Sequence, residues 1–178
     1  MDRSASLFKP ASYWRYLLPQ PAALGLPLGE IAPDFALWDV THGRTVRLAN
    51  WRGKQPVVLA FTRIFAAGVY CPFCYPHILG INQAYAQFRQ AGAELFMLTS
   101  LGRREAQAVV EDLQLTLPLL ADETGQSFKT YFTGQALGAP LPGQFVLDVQ
   151  GRLRYAHLFS FLDHNAAPET LLAVLETL

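Results

Sequence analysis

Both cysteines of the chain fall in one short segment, Cys71-Pro72-Phe73-Cys74, within "AAGVYCPFCYPHI". Two thiols at this spacing can form a redox couple, supply half of a metal site, or lie inert in a core, since free cysteine is among the most buried residue types. A redox couple would work by exchange: the Cys71 thiolate attacks a substrate disulfide, a mixed disulfide forms, and Cys74 displaces the product to leave a Cys71–Cys74 bond. The reverse cycle would oxidise substrate thiols. A zinc site needs three or four ligands, and His42, His77, His157 and His164 offer no second C-x-x-C and no H-x3–5-H pair beside the first. A convergence of His157 in space would be needed to add a ligand. The spacing therefore favours redox chemistry, and neither a metal nor another cofactor is expected.

Two local structures could activate Cys71. If it caps a helix, Pro72 takes the first helical position, where its missing N–H costs nothing, and the Phe73 and Cys74 amides point at the Cys71 sulfur. Those donors and the positive helix end would lower the thiol pKa from about 8.5, and Cys74 would share the same helical face. Pro76 opposes this arrangement, because a helix begun at Pro72 would lose a hydrogen bond and suffer a ring clash, at about 3 kcal/mol. If the helix begins near Pro76 instead, CPFC is a tight turn ahead of it. Phe73 could form an apolar docking surface or pack beneath the loop, and Arg63 could face a thiolate or form a surface ion pair. His77, six residues beyond Cys71, is expected to face away from the sulfur, and Asp122 reads as a helix cap.

The elements that must hold this segment are legible around it. "PVVLAF" (Pro56 to Phe61) is a β-branched apolar run, as expected of a central strand covered on both faces. The cysteines follow its carboxyl end, the place where open α/β sheets put their sites. "FALWDV" and "TVRL" around "THGR" predict a hairpin before it, and "ILGINQAYAQFRQAG" predicts a helix after it, capped by Gly92. "AELFMLTS" reads as the next strand, "RREAQAVVEDLQL" and "ETGQSFKTYF" as helices, "GQFVLDVQGRLRYAHLF" as two strands, and "APETLLAVLETL" as a closing helix. The order gives α/β architecture with a mixed sheet. Residues 1–28 carry four prolines and no clean period, so they read as an extension whose aromatics (Phe8, Tyr13, Trp14, Tyr16) argue for docking on the domain of residues 29–178.

Composition narrows the function classes. The 178 residues suffice for one sizeable core, and Lys+Arg balances Asp+Glu at 14 each, which leaves no net field for nucleic acid or anionic lipid. Two cysteines cannot make the dense disulfide framework of a small secreted protein. With no apolar run resembling a signal peptide or membrane span at the start, a cytoplasmic location is expected. The apolar composition and aromatic extension make a homodimer reasonable.

With the strand, CPFC and later hairpin in place, the chain resembles the thioredoxin-like superfamily, and specifically its peroxiredoxin-like branch (AhpC/TSA, redoxin). The resemblance rests on "GEIAPDFALWDVTHGRTVRLANWRGKQPVVLAF", "CPFC", "LPLLADETGQSF" and "GQFVLDVQGRLRY", about residues 29 to 158. It implies a thioredoxin-like fold with a mixed central sheet, flanking helices and an N-terminal hairpin. It also implies an oxidoreductase with protein or small-molecule disulfides or peroxides as acceptors and a thioredoxin- or glutathione-type reductant. The branch's peroxidase motif carries a proline seven residues before the reactive cysteine and a threonine three before it; Ile64 and Gly68 stand there. Its peroxide-binding arginine aligns with Pro142. Without these donors, thiol-disulfide exchange by Cys71 and Cys74 leads, with reduction of hydrogen peroxide or alkyl hydroperoxides by the same cysteines as the alternative. Pro142 instead resembles the cis-proline facing C-x-x-C in disulfide reductases, which would leave the Leu141 backbone open to an added substrate strand; an ordinary trans proline before an edge strand is the other reading. Pro72, Phe73, Arg63, Leu141 and Pro142 are the candidate substrate-binding residues.

Overall fold

The computed structural model describes residues 14–178. The hairpin forms as expected, with β1 (Ala36–Asp39) antiparallel to β2 (Arg44–Arg47). After a 3-10 turn at Leu48–Trp51 comes β3 (Val57–Phe61), buried at every position. A short hairpin of β4 (Ile64–Ala66) and β5 (Val69–Tyr70) leads into the cysteines and then α1 (Tyr75–Gln90). Next come β6 (Glu94–Thr99), α2 (Arg103–Leu113), β7 (Leu119–Ala121) and α3 (Gln126–Thr130). A second small hairpin, β8 (Gln135–Ala136) with β9 (Ala139–Pro140), precedes β10 (Gly143–Leu147), β11 (Leu153–Leu158) and α4 (Pro168–Leu175).

Seven strands make one sheet in the order β11-β10-β3-β6-β7-β1-β2. β3, β6 and β7 run parallel, while β10 pairs antiparallel with β3. The sheet is therefore mixed, as the sequence predicts. Strand alternation sorts the core into two layers. Val58, Leu95, Met97 and Val146 point to the face covered by α1, α2 and α4, where Ile78, Ile81, Phe88, Val109 and Leu171 lie. Leu59, Phe61, Phe96, Leu98 and Phe145 point to the other face, against Phe128 and Tyr131. With both faces covered, β3 and β6 need no polar alternation, which is why they read as continuous apolar runs. Helix α1 ends where Gly92 adopts a positive φ of 76°, and the Ala93 N–H donates to the Phe88 carbonyl at 3.0 Å. That is the glycine C-cap expected there.

Part of the extension docks. Tyr16 is buried, and Gln20 exchanges two backbone hydrogen bonds of 2.8 Å with Gln135. Ala23 donates to the Phe132 carbonyl, and Gly138 donates to the Tyr16 carbonyl. Trp14 is exposed, and the predicted contributions of Phe8 and Tyr13 lie outside the described residues. No helix among the described residues is long and apolar enough to cross a membrane.

Candidate active site

The cysteine pair lies where β3 ends and α1 begins, separated from the strand by the β4/β5 hairpin. Of the two local structures the sequence allows, the second forms. Cys71 is not the helix N-cap: Cys74 holds that position, the helix starts at Tyr75, and Pro76 falls in its first turn. The physical reason is the one Pro76 supplies. Its missing N–H is harmless in the first turn, whereas a helix begun at Pro72 would have needed it. The four residues form a turn in which the Cys74 and Tyr75 N–H groups both donate to the Cys71 carbonyl, at 3.0 and 2.9 Å.

The turn still aims donors at Cys71. The Cys74 thiol hydrogen-bonds the Cys71 sulfur, the Phe73 and Cys74 amides donate to it, and the Arg63 guanidinium lies beside it. The Cys74 bond is the largest of these influences, and together they outweigh burial and bring the Cys71 pKa down to about 5. Cys74 is driven the opposite way, because its proton is held by the Cys71 thiolate and because it is wholly buried. One thiolate and one thiol share a proton between them. Both cysteines are free in this structure.

Arg63 is not in a surface ion pair. It is 7% exposed, and burial pulls its own pKa down while the cysteine sulfurs push it back up. Its guanidinium lies 4.7 Å above the Phe65 ring and donates to the carbonyls of Ala136 and Leu137. Those carbonyls belong to the β8/β9 loop, so the Gly- and Pro-containing segment "GQALGAPLPG" forms one wall of the site. The docked extension backs that loop through Gln20 and Tyr16. Replacing Arg63 with methionine, which keeps the aliphatic stem and removes the cation, is expected to raise the Cys71 pKa by ~1 unit. Thiolate absorbance titrated from pH 4 to 9 measures it, and an unmoved midpoint would exclude this role for Arg63.

Pro72 and Phe73 stand exposed beside Cys71, and the Phe73 ring stacks on His164 at 4.1 Å between centroids. Leu141 and Pro142 take the second of the two readings left open for them. No cis peptide bond occurs among the described residues, so Leu141–Pro142 is trans. Leu141 is buried and its N–H donates to the Gly134 carbonyl at 3.0 Å, while the Pro142 carbonyl accepts from Phe159. The backbone proposed to receive a substrate strand is already paired, because β8/β9 folds back on it. Gly68 has a positive φ of 76° in the β4/β5 turn. A threonine there would be strained, so this hairpin is incompatible with the peroxidase motif's residue.

Asp122 caps α3, accepting from the Gln126 and Ser127 amides at 3.3 and 2.7 Å, as the sequence predicts. His77 is half-buried, with its Nε2–H donating to the Ala166 carbonyl at 2.9 Å. Burial lowers its pKa to about 4. No group of three or more metal-ligating side chains occurs among the described residues. Two residues escaped the sequence reading: Asn165, which donates to the Phe73 carbonyl and hydrogen-bonds Cys74, and the fully buried Gln144 that holds it. A polar Gln inside the strand "GQFVLD" was the available signal, since buried amides need partners.

Residues 28–156 match the AhpC/TSA family. The chain belongs to that family. Chloroplastic peroxiredoxin Q of Triticum aestivum is 30% identical over 145 residues, which is 80% of this chain and 64% of the relative. The match thus spans less than two thirds of that relative's length. The thiol-disulfide oxidoreductase ResA of Bacillus cereus is 27% identical over 129 residues, covering 72% of this chain and 68% of ResA. Among solved structures, peroxidoxin BcpB of Mycobacterium tuberculosis superposes with a TM-score of 0.70 at 21% identity, over 86% of this chain and 98% of that one. Enterococcus faecalis AhpC gives 0.72 at 16% identity, over 85% and 92%. At those identities the structures speak for the fold alone, and that fold is thioredoxin-like. Within the AhpC/TSA frame, the CPFC turn, the β4/β5 hairpin before it and trans Pro142 are what this member presents at its site.

Proposed function

We propose that the protein is a thiol-disulfide oxidoreductase in which Cys71 is the nucleophile and Cys74 the resolving thiol. The observation that carries this reading is the turn itself: the Phe73 and Cys74 amides, the Cys74 thiol and the Arg63 guanidinium face Cys71 while Cys74 is wholly buried, an arrangement that lowers the pKa of Cys71 and raises that of Cys74. The Cys71 sulfur attacks a disulfide, expelling one substrate thiolate. Cys74 then loses its proton and attacks the Cys71 sulfur, expelling the second. The substrate gains two electrons and the pair becomes a disulfide, which a thioredoxin- or glutathione-type dithiol or thiol restores. Exposed Pro72 and Phe73 offer the disulfide an apolar surface beside the sulfur, and Arg63 holds the thiolate. Residues 29–178 form the catalytic unit, and the extension braces its β8/β9 wall. A chain whose cysteines are a redox pair fits a reducing compartment such as the cytoplasm.

The low pKa has a particular kinetic meaning. At pH 7 it makes Cys71 about 30-fold richer in thiolate than a free cysteine, but intrinsic nucleophilicity falls by a comparable factor. Speed is therefore not the signature of the site; insensitivity to pH is. A second reading, reduction of hydrogen peroxide or alkyl hydroperoxides to water or alcohol through a Cys71 sulfenic acid that Cys74 condenses with, is favoured by the Arg63 contact to Cys71. Stopped-flow oxidation at several pH values separates the two. Reaction with 5,5′-dithiobis(2-nitrobenzoate) is expected to be level from pH 7 to 8.5, with hydrogen peroxide reacting no faster than with a free thiol. Peroxide oxidation far above the free-thiol rate would replace the first reading by the second.

A further inference from the structure

A chain of amide hydrogen bonds approaches Cys74, and its direction is set at its far end. The Ala166 N–H can only donate, so the Gln144 atom 2.8 Å from it is Oε1. Gln144 must then turn Nε2 toward Asn165, where it lies 2.9 Å from Oδ1. Asn165 is left facing the cysteine turn with Nδ2, which donates to the Phe73 carbonyl at 3.1 Å and also reaches the Cys74 sulfur. A single backbone N–H thus dictates, through two side-chain amides, that a donor and not an acceptor meets Cys74. Gln144 has no solvent exposure, so water cannot reverse the order.

We infer that Asn165 is a catalytic donor for the resolving step, stabilising the Cys74 thiolate as it forms, and that Gln144 is its positioning residue. The inference rests on the exchange reading and concerns its second half. In the dithiol Cys74 keeps its proton and donates it in a hydrogen bond to the Cys71 thiolate. Once the Cys71 sulfur is bonded to a substrate sulfur, that acceptor is gone and Cys74 must give its proton to solvent from a buried position. Its electron pair then forms the Cys71–Cys74 bond, and the bond from Cys71 to substrate breaks with the pair leaving on the substrate thiolate. Two donors face Cys74 at that moment, the Arg63 backbone N–H and the Asn165 amide. Hydrogen bonds to a charged form favour that form, so Asn165 lowers the pKa at which Cys74 can attack.

The reaction with 5,5′-dithiobis(2-nitrobenzoate) reads the two steps separately, because Cys71 releases the first coloured thiolate and Cys74 the second. The first release serves as the internal reference. Asn165→Ala is expected to slow the second release about tenfold at pH 7 and move the midpoint of its pH profile up by about one unit. Asn165→Asp, nearly the same shape but presenting a carboxylate, is expected to slow it further. Gln144→Glu keeps the acceptor for Ala166 but offers Asn165 an acceptor in place of a donor, which flips the Asn165 amide and reproduces the alanine phenotype. A second-release midpoint unchanged in both Asn165 variants overturns the inference and assigns the amide a purely structural role, whether or not Gln144→Glu folds. Absence of the second release in the unsubstituted protein would instead remove the exchange reading itself.

Discussion

Substituting Cys71 with serine is expected to lower the reaction with 5,5′-dithiobis(2-nitrobenzoate) by about 10³-fold or more, whereas substituting Cys74 with serine is expected to leave one equivalent of coloured thiolate released in place of two. The difference follows from the division of labour in the turn. Cys71 carries the charge at neutral pH, with its pKa brought to about 5, and a serine hydroxyl cannot be ionised to a useful extent by the same donors. Cys74 is wholly buried and cannot reach an external disulfide, so on its own it does not substitute for Cys71. The Cys74→Ser protein should stop at the mixed disulfide, visible as an added 2-nitrobenzoate mass. It should also titrate at a higher pH than the unsubstituted protein, since the thiol hydrogen bond from Cys74 is the largest influence lowering the Cys71 pKa and a hydroxyl reproduces it imperfectly. Two equivalents released by Cys74→Ser, or a Cys71→Ser protein reacting at the original rate, would reverse the assignment.

The largest effect on stability is expected from Phe61→Ala. Phe61 ends β3 with no solvent exposure, and its ring meets Phe128, Tyr131 and Phe145 at centroid distances of 4.9, 5.0 and 5.5 Å. Truncation empties the centre of this aromatic cluster, whose members come from three elements and cannot all collapse inward. The expected loss is about 3–5 kcal/mol, a large part of the ~5–15 kcal/mol that holds a domain. It should appear as a lower urea midpoint with little change in slope. Because Arg63 follows two residues later, the variant should also raise the Cys71 pKa where it remains folded. A loss below about 1 kcal/mol would mean that the cluster repacks. Phe161→Ser, at a position 80% exposed, should change stability very little and serves as the contrast.

The architecture was largely legible because its signals are local. Buried strands such as Val57–Phe61 and Glu94–Thr99 must be apolar throughout, and the helix after the cysteines shows its buried face at Ile78, Ile81 and Phe88. The site was legible in part for a similar reason. A proline in the first turn, thiols three residues apart and amides within the turn are set by covalent neighbours, and the donors to Cys71 are indeed the Phe73 and Cys74 amides. What the sequence left open, the start of the helix, turned on Pro76 and was settled in favour of a turn ahead of it. Of the two readings of Pro142 the trans one holds, and the sequence could not choose between them because the state of an X–Pro bond depends on what packs around it. Here the β8/β9 hairpin pairs Leu141 with Gly134, 7 residues before it in the chain.

That a proximal pair of thiols follows a central strand in a mixed α/β sheet is written in short stretches of the chain, since spacing, strand burial and helix periodicity are local properties. Which groups surround those thiols depends on contacts between elements far apart in the chain. Arg63 reaches Cys71 because the carbonyls of Ala136 and Leu137, more than 70 residues away in the chain, hold its guanidinium there. Asn165 reaches Cys74 because Gln144, on strand β10, orients its amide. Such long-range partners leave no periodic trace, because each is a single side chain placed by the packing of whole elements. "AAGVYCPFCYPHI" therefore supplies the two thiols, and the fold supplies the charges and donors that set when each of them carries a proton.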